Sequence, residues 1–218
     1  MAADGSNLQG VRLYQQGQFG PALQQFQQAV SADPTNADAY YNMAATLHKM
    51  GSQSGDRDLL DQAETLYNQC LDAHEDHTDC RRGLAVLLVE TGRPDSAFKL
   101  LKNWIAANPD SADARIELAR LYEEFGDLET AKLHLNQAVM SDQHNHRAWA
   151  ALGQIRERLG DYDQALTNYQ RSWDLNTFQP GVADRIATLN RSLQIRVDGT
   201  RPGSDTRTVN TPDPAGRF

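Results

Sequence analysis

Apolar residues recur along the chain at intervals of three and four, the period of a helix with one buried face. Leu118, Tyr122 and Phe125 show the pattern at steps of four and three. The stripes and the polar breaks between them predict helices over 5–16, 20–32, 37–50, 59–73, 78–91, 94–107, 112–125, 128–140, 146–159 and 162–175. A last amphipathic stretch over 180–194 carries Ile186, Ala187 and Leu193. The turns carry matching signals. Gly126-Asp127 follows one stripe, and glycine suits the left-handed conformation that ends a helix. Asp127 and Asp161 stand where a side chain can cap the next helix by accepting backbone N–H bonds. Pro21 and Pro94 fall near helix starts, where a missing N–H costs little. Pro34 and Pro109 fall where the preceding helix must stop.

The helices come in pairs of fixed length. Gly17, Gly51, Gly92, Gly126 and Gly160 form one column, and Ala22, Ala63, Ala97, Ala131 and Ala165 a second. Gly10, Ala44, Ala85, Ala119, Gly153 and Ala187 form a third. Members of each column stand 34 residues apart, save for one step of 41. The glycine column takes the long step after Gly51 and the alanine column takes it before Ala63. Seven inserted residues therefore lie within 52–61 and read as a longer surface loop. A two-helix unit cannot bury its apolar face alone, so neighbours must stack into one array.

This pattern resembles the tetratricopeptide repeat family over residues 3–179. The fifth unit carries it best, with Trp149, Leu152-Gly153, Gly160-Asp161-Tyr162, Ala165 and Tyr169. The first shows Gly10, Leu13, Gly17, Phe19, Ala22, Phe26, Ala29 and Pro34. Cys70, Trp104 and Ser172 replace the usual second-helix alanine, and Glu75, Gln143 and Thr177 the inter-unit proline. Arg156 stands where an aromatic or leucine is usual. The resemblance implies an all-α, right-handed superhelical solenoid of helix–turn–helix repeats. Its units are 3–36, 37–77 with the insertion, 78–111, 112–145 and 146–179. A capping helix over 180–195 follows, with Arg185 and Arg191 left solvated. The Gly-, Pro- and Thr-rich segment 196–218 reads as a disordered tail.

The resemblance also implies a function: a concave groove, lined by the first helices, that binds a peptide or a segment of a partner protein. Tyr14, Tyr41, Asn42 and His48 would make one end aromatic and polar. Val86, Val89 and Ile116 would make an apolar middle. Arg82 and Arg120 would meet partner carboxylates, with Glu123, Gln154 and Arg185 completing the lining. One subtype of the family clamps the C-terminal carboxylate of heat-shock chaperones, and this chain departs from it. Asn42 matches one place, but Asn7 and Val11 stand where Lys and Asn belong, and Val86 follows Arg82 where Arg belongs. Two alternatives to an adaptor are a scaffold subunit that self-associates through its uncapped first unit and an envelope-located assembly protein.

Composition narrows the classes further. The formal net charge is −8, which argues against a nucleic-acid binder working through bulk electrostatics. No apolar run approaches a membrane span. No leader is read at Met1, which leaves the cytoplasm open, or the periplasm if a signal has been removed. The most chemically suggestive cluster is His74-Glu75-Asp76-His77-Thr78-Asp79-Cys80. Its histidines do not have the zinc-protease spacing, and it reads as a polar turn with no metal. His144-Asn145-His146 likewise reads as a helix start capped by Asn145. Cys70 and Cys80 flank the first turn, either as a disulfide or as two buried thiols. Gly51-Ser-Gln-Ser-Gly55 lacks the Gly-Lys-Ser/Thr ending of a phosphate loop. Trp104, Trp149 and Trp173 read as core. The expectation is a non-catalytic protein without cofactor.

Overall fold

The computed structural model describes residues 2–199. They form eleven α-helices: α1 (Ala2–Gln15), α2 (Phe19–Ala32), α3 (Ala37–Ser54), α4 (Arg57–Ala73), α5 (Thr78–Glu90), α6 (Pro94–Ala107), α7 (Ala112–Glu124), α8 (Leu128–Ser141), α9 (His146–Arg158), α10 (Tyr162–Leu175) and α11 (Pro180–Gly199). There is no strand among the described residues. Each helix packs on the next. In addition α1 touches α3, α3 touches α5, α5 touches α7 and α7 touches α9. The odd-numbered helices thus stand side by side and form the inner wall of the solenoid.

The register that stacks them is visible in the core. Ala22, Ala63, Ala97, Ala131 and Ala165 are all fully buried. Four residues after each comes a large side chain, Phe26, Tyr67, Leu101, Leu135 or Tyr169, also buried. The first-helix column must be small to admit these side chains. A Cβ on Gly10 would lie 2.4 Å from the Phe26 ring, and one on Gly153 2.8 Å from the Tyr169 ring. First helices begin on side-chain caps. Asn36, His77, Ser111 and Asn145 accept from the N–H of Ala39, Cys80, Ala114 and Ala148. Asp127 caps α8 through Thr130, but Asp161 makes no side-chain cap bond.

The insertion is not a loop. α3 runs on to Ser54, and α4 starts at Arg57 on an Asp56 cap. The extra residues are absorbed as added helical turns. Gly51 lies inside α3, where a Cβ would come within 2.8 Å of Leu60, so its small size serves packing. The left-handed residue that ends α3 is Gly55, at φ 72°.

α11 covers the end of the array. Leu189 is buried there against Ala165 and Tyr169, with Val182 and Ile186 partly buried beside it. Ala187 faces solvent instead. The helix continues to Gly199, so residues 196–199 are helical and not tail. The remainder of the expected disordered segment lies outside the described residues. Of the tryptophans, Trp104 is buried, whereas Trp149 and Trp173 are only partly so. Among the described residues no helix is long and apolar enough to cross a membrane.

Candidate binding groove

The inner wall is organised around one buried carboxylate. Glu117 sits on α7 with its side chain 2% exposed. Arg82 of α5 reaches it with two N–H bonds, of 2.9 and 2.6 Å. Arg147 of α9 donates from the other side at 2.9 Å, and Arg120 of α7 at 3.2 Å. Arg147 also bonds Asp113 at 3.0 Å, and Arg82 bonds Asp79 at 2.8 Å. Burial alone would raise the Glu117 pKa. The Arg82 hydrogen bonds and the charges of Arg82, Arg120 and Arg147 outweigh it and hold the carboxyl below its ordinary value. The same pairing raises Arg82. Farther along, Arg158 and Gln154 both donate to Glu123, at 2.7 and 2.8 Å, and Arg185 of α11 pairs with Glu157. Tyr169 donates to Glu157 as well, and burial pushes its phenol up to about 12.

A cleft of about 500 Å³ runs over this lattice, lined by Arg82, Val86, Val89, Glu117, Arg120, Glu123, Gln154 and Arg158 among others. It shares Arg82, Arg120, Gln154 and Arg158 with a second stretch of about 900 Å³, which continues past Arg147 to Arg185. That second stretch carries five arginines and a single carboxylate, Glu157, among its lining residues. Val86 is 38% exposed and offers an apolar floor.

The expected groove residues divide on the structure. Arg82, Val86, Val89, Arg120, Glu123, Gln154 and Arg185 line this continuous groove. Ile116 contributes to the second stretch but is only 2% exposed, so it acts as core more than as contact surface. Tyr14, Tyr41 and Asn42 line a separate pocket of about 250 Å³ near the first helices. Asn42 there donates to Asn7 at 2.9 Å. His48 is turned inward, 3.3 Å from the Tyr67 hydroxyl and 2.9 Å from Glu90, which also accepts from Ser52. Arg185 is held by Glu157 instead of standing free in solvent. Glu117, Arg147 and Arg158 match no motif within their own helices. Their signal was present: Arg82 and Glu117, Glu123 and Arg158, and Asp113 and Arg147 each stand 34 or 35 residues apart. Opposite charges separated by one repeat occupy neighbouring places on adjacent units.

The turn after α4 is also built from its side chains. Cys70 of α4 and Cys80 of α5 form a disulfide, with Cα atoms 6.4 Å apart and both residues fully buried. The histidine that joins them is His77, not His74: Cys70, His77 and Cys80 bring their ligand atoms within 4.8 Å of one another. Arg81 donates to the Glu75 carbonyl at 2.7 Å and lies over the Trp104 ring. Trp104 donates to Asp76.

Tetratricopeptide repeat models match residues 10–51, 54–112, 90–155 and 146–177. Among solved structures, the chain is similar to TTC0263, a thermophilic TPR protein of Thermus thermophilus. The two are 22% identical with a TM-score of 0.65, over 87% of this chain and 100% of that one. It is also similar to a chain of the APC/C hetero-tetramer Cut9-Hcn1, at 20% identity and a TM-score of 0.59, over 90% of this chain and 38% of that one. A third is a tetratricopeptide repeat protein from Parabacteroides merdae ATCC 43184, at 15% identity and a TM-score of 0.54, over 90% and 75%. These likenesses are of fold. None of the curated proteins compared with the chain matches it.

Proposed function

The chain belongs to the tetratricopeptide repeat family, and on that premise we propose that it is a non-catalytic interaction module holding an extended, acidic segment of a partner protein. The observation that carries this reading is the concentration of Arg82, Arg120, Arg147, Arg158 and Arg185 along one groove of a chain whose net charge is −8. A guanidinium offers five N–H donors, so an arginine already holding Glu117, Glu123 or Glu157 keeps donors for a second carboxylate. The internal acids fix the arginines in place, and less side-chain entropy is lost when the partner arrives. Val86 and Val89 receive an apolar side chain beside the acidic ones.

Arg82 is a poor residue to reverse. A glutamate there would face buried Glu117 and unfold the region, so an Arg82→Glu, Arg120→Glu pair confounds binding with stability. Arg120 and Arg158 are about half exposed and make the cleaner probe. The test is fluorescence anisotropy with three labelled peptides of equal length, built from Glu/Leu, Lys/Leu and Ser/Leu. The Glu/Leu peptide is expected to bind at about micromolar affinity, roughly −8 kcal/mol, and to weaken as salt is raised. Arg120→Gln with Arg158→Gln, which removes both charges without setting a carboxylate against Glu117 or Glu123, should reduce that affinity at least tenfold while the helical circular dichroism of the folded chain is kept. Equal binding of all three peptides, or no effect of the double variant, contradicts the reading.

A further inference from the structure

We propose that Cys70, Cys80 and His77 form a binding site for a tetrahedral, borderline-soft divalent cation of the Zn²⁺ type, available when the Cys70–Cys80 disulfide is reduced. The argument starts from the repeat register. At the position of Cys70 the other units hold Ala29, Trp104, Ala138 and Ser172. At the position of Cys80 three others hold Ala39, Ala114 and Ala148, and at the position of His77 they hold Asn36, Ser111 and Asn145. The fold therefore needs neither sulfur nor imidazole at these places. This one junction replaces all three, and the replacements converge within 4.8 Å. The disulfide accounts for the two cysteines, and the cap that His77 makes is made in three other units by Asn or Ser, so a cap alone does not call for an imidazole.

The histidine is oriented for ligation. His77 Nε2 lies 3.0 Å from Asp38 Oδ1, which fixes the proton on Nε2. Nδ1 carries the lone pair, which in the oxidised chain accepts from the Cys80 N–H and would exchange that bond for the cation. A carboxylate hydrogen-bonded behind an imidazole is the outer-shell arrangement that raises ligand basicity and holds ring orientation in metal sites. The turn itself is pinned by Arg81 on the Glu75 carbonyl and by Trp104 on Asp76. Zinc–sulfur bonds of about 2.3 Å at tetrahedral angles place two sulfurs about 3.8 Å apart. Side-chain rotation alone reaches that spacing once the S–S bond is open.

The chemistry balances with a dithiol reductant. Two electrons and two protons pass from the dithiol to the protein disulfide, giving two thiols and an oxidised, disulfide-form reductant. Cation binding then displaces both thiol protons to solvent, and the two thiolates and His77 Nδ1 donate to the ion. Water completes the fourth position. Thiol–disulfide exchange with a small-molecule disulfide re-forms the Cys70–Cys80 bond, sends the two electrons into that disulfide, which leaves as two thiolates, and releases the ion.

The test is a Co²⁺ titration of the full chain, kept reduced under anaerobic conditions, followed by Zn²⁺ competition. Reduced wild-type protein should take up one equivalent, with thiolate-to-cobalt charge-transfer absorption and tetrahedral d–d absorption. The oxidised protein and a Cys70→Ala, Cys80→Ala variant should show neither. That double variant carries the residues found at equivalent places in other units and so keeps the fold. His77→Asn preserves the cap, as Asn36 and Asn145 do, and should weaken binding at least tenfold. Metal-dependent refolding of the reduced chain supports the proposal equally well. Reduced wild type that takes up no metal, folded or not, overturns it, as does unaltered affinity in His77→Asn.

Discussion

At the scale of single residues, the strongest local commitment is Glu117. Removing one partner of a buried ion pair leaves uncompensated charge, at a cost of about 3–5 kcal/mol. Glu117→Ala is expected to lose stability of that order in urea denaturation, because three arginines then face each other across its vacated place. A loss below about 1 kcal/mol, the range of exposed pairs, would contradict the geometry. The pH dependence follows the same group. Its folded pKa is lowered, so its stabilising contribution is complete above the ordinary glutamate value of about 4.3. That contribution is lost as pH falls through the lowered folded value. Glu117→Gln should flatten this acid limb of the stability profile. Little of this is legible from one helix at a time, since a glutamate in a helical stripe reads as solvated. The information sits in the separation of Glu117 from Arg82, which only the repeat period makes meaningful.

At the scale of elements, the small column sets how closely helices approach. Ala131 is fully buried, and Ala131→Leu should cost about 1–3 kcal/mol by overpacking, read as a lowered denaturation midpoint with an unchanged slope. Helix positions were legible because apolar period, caps and prolines agree, and α10 spans its predicted range of 162–175. The second unit was not, because Gly51 suits both a helix end and a tight helix crossing. Leu60 packing against Gly51 and the left-handed Gly55 decide for the crossing. Gly55→Ala is therefore expected to destabilise by about 1–2 kcal/mol, whereas a loop at Gly51 would leave Gly55 tolerant of alanine.

The whole molecule behaves as a stack in which each pair leans on its neighbours. Removing α11 uncovers Ala165 and Tyr169, so a chain ending at Gln179 should exchange amide hydrogens faster in α9 and α10 than in α5 to α8. Uniform exchange along the array would argue against one-sided capping. The same stacking aligns the arginines of α5, α7, α9 and α11 along one wall, and that alignment is the basis of the proposed binding. The most direct test is an amide chemical-shift map on adding the Glu/Leu peptide. The shifts should cluster at Arg82, Val86, Val89, Arg120, Gln154 and Arg158. Shifts confined to the outer, even-numbered helices, or none at saturating peptide, would contradict the account.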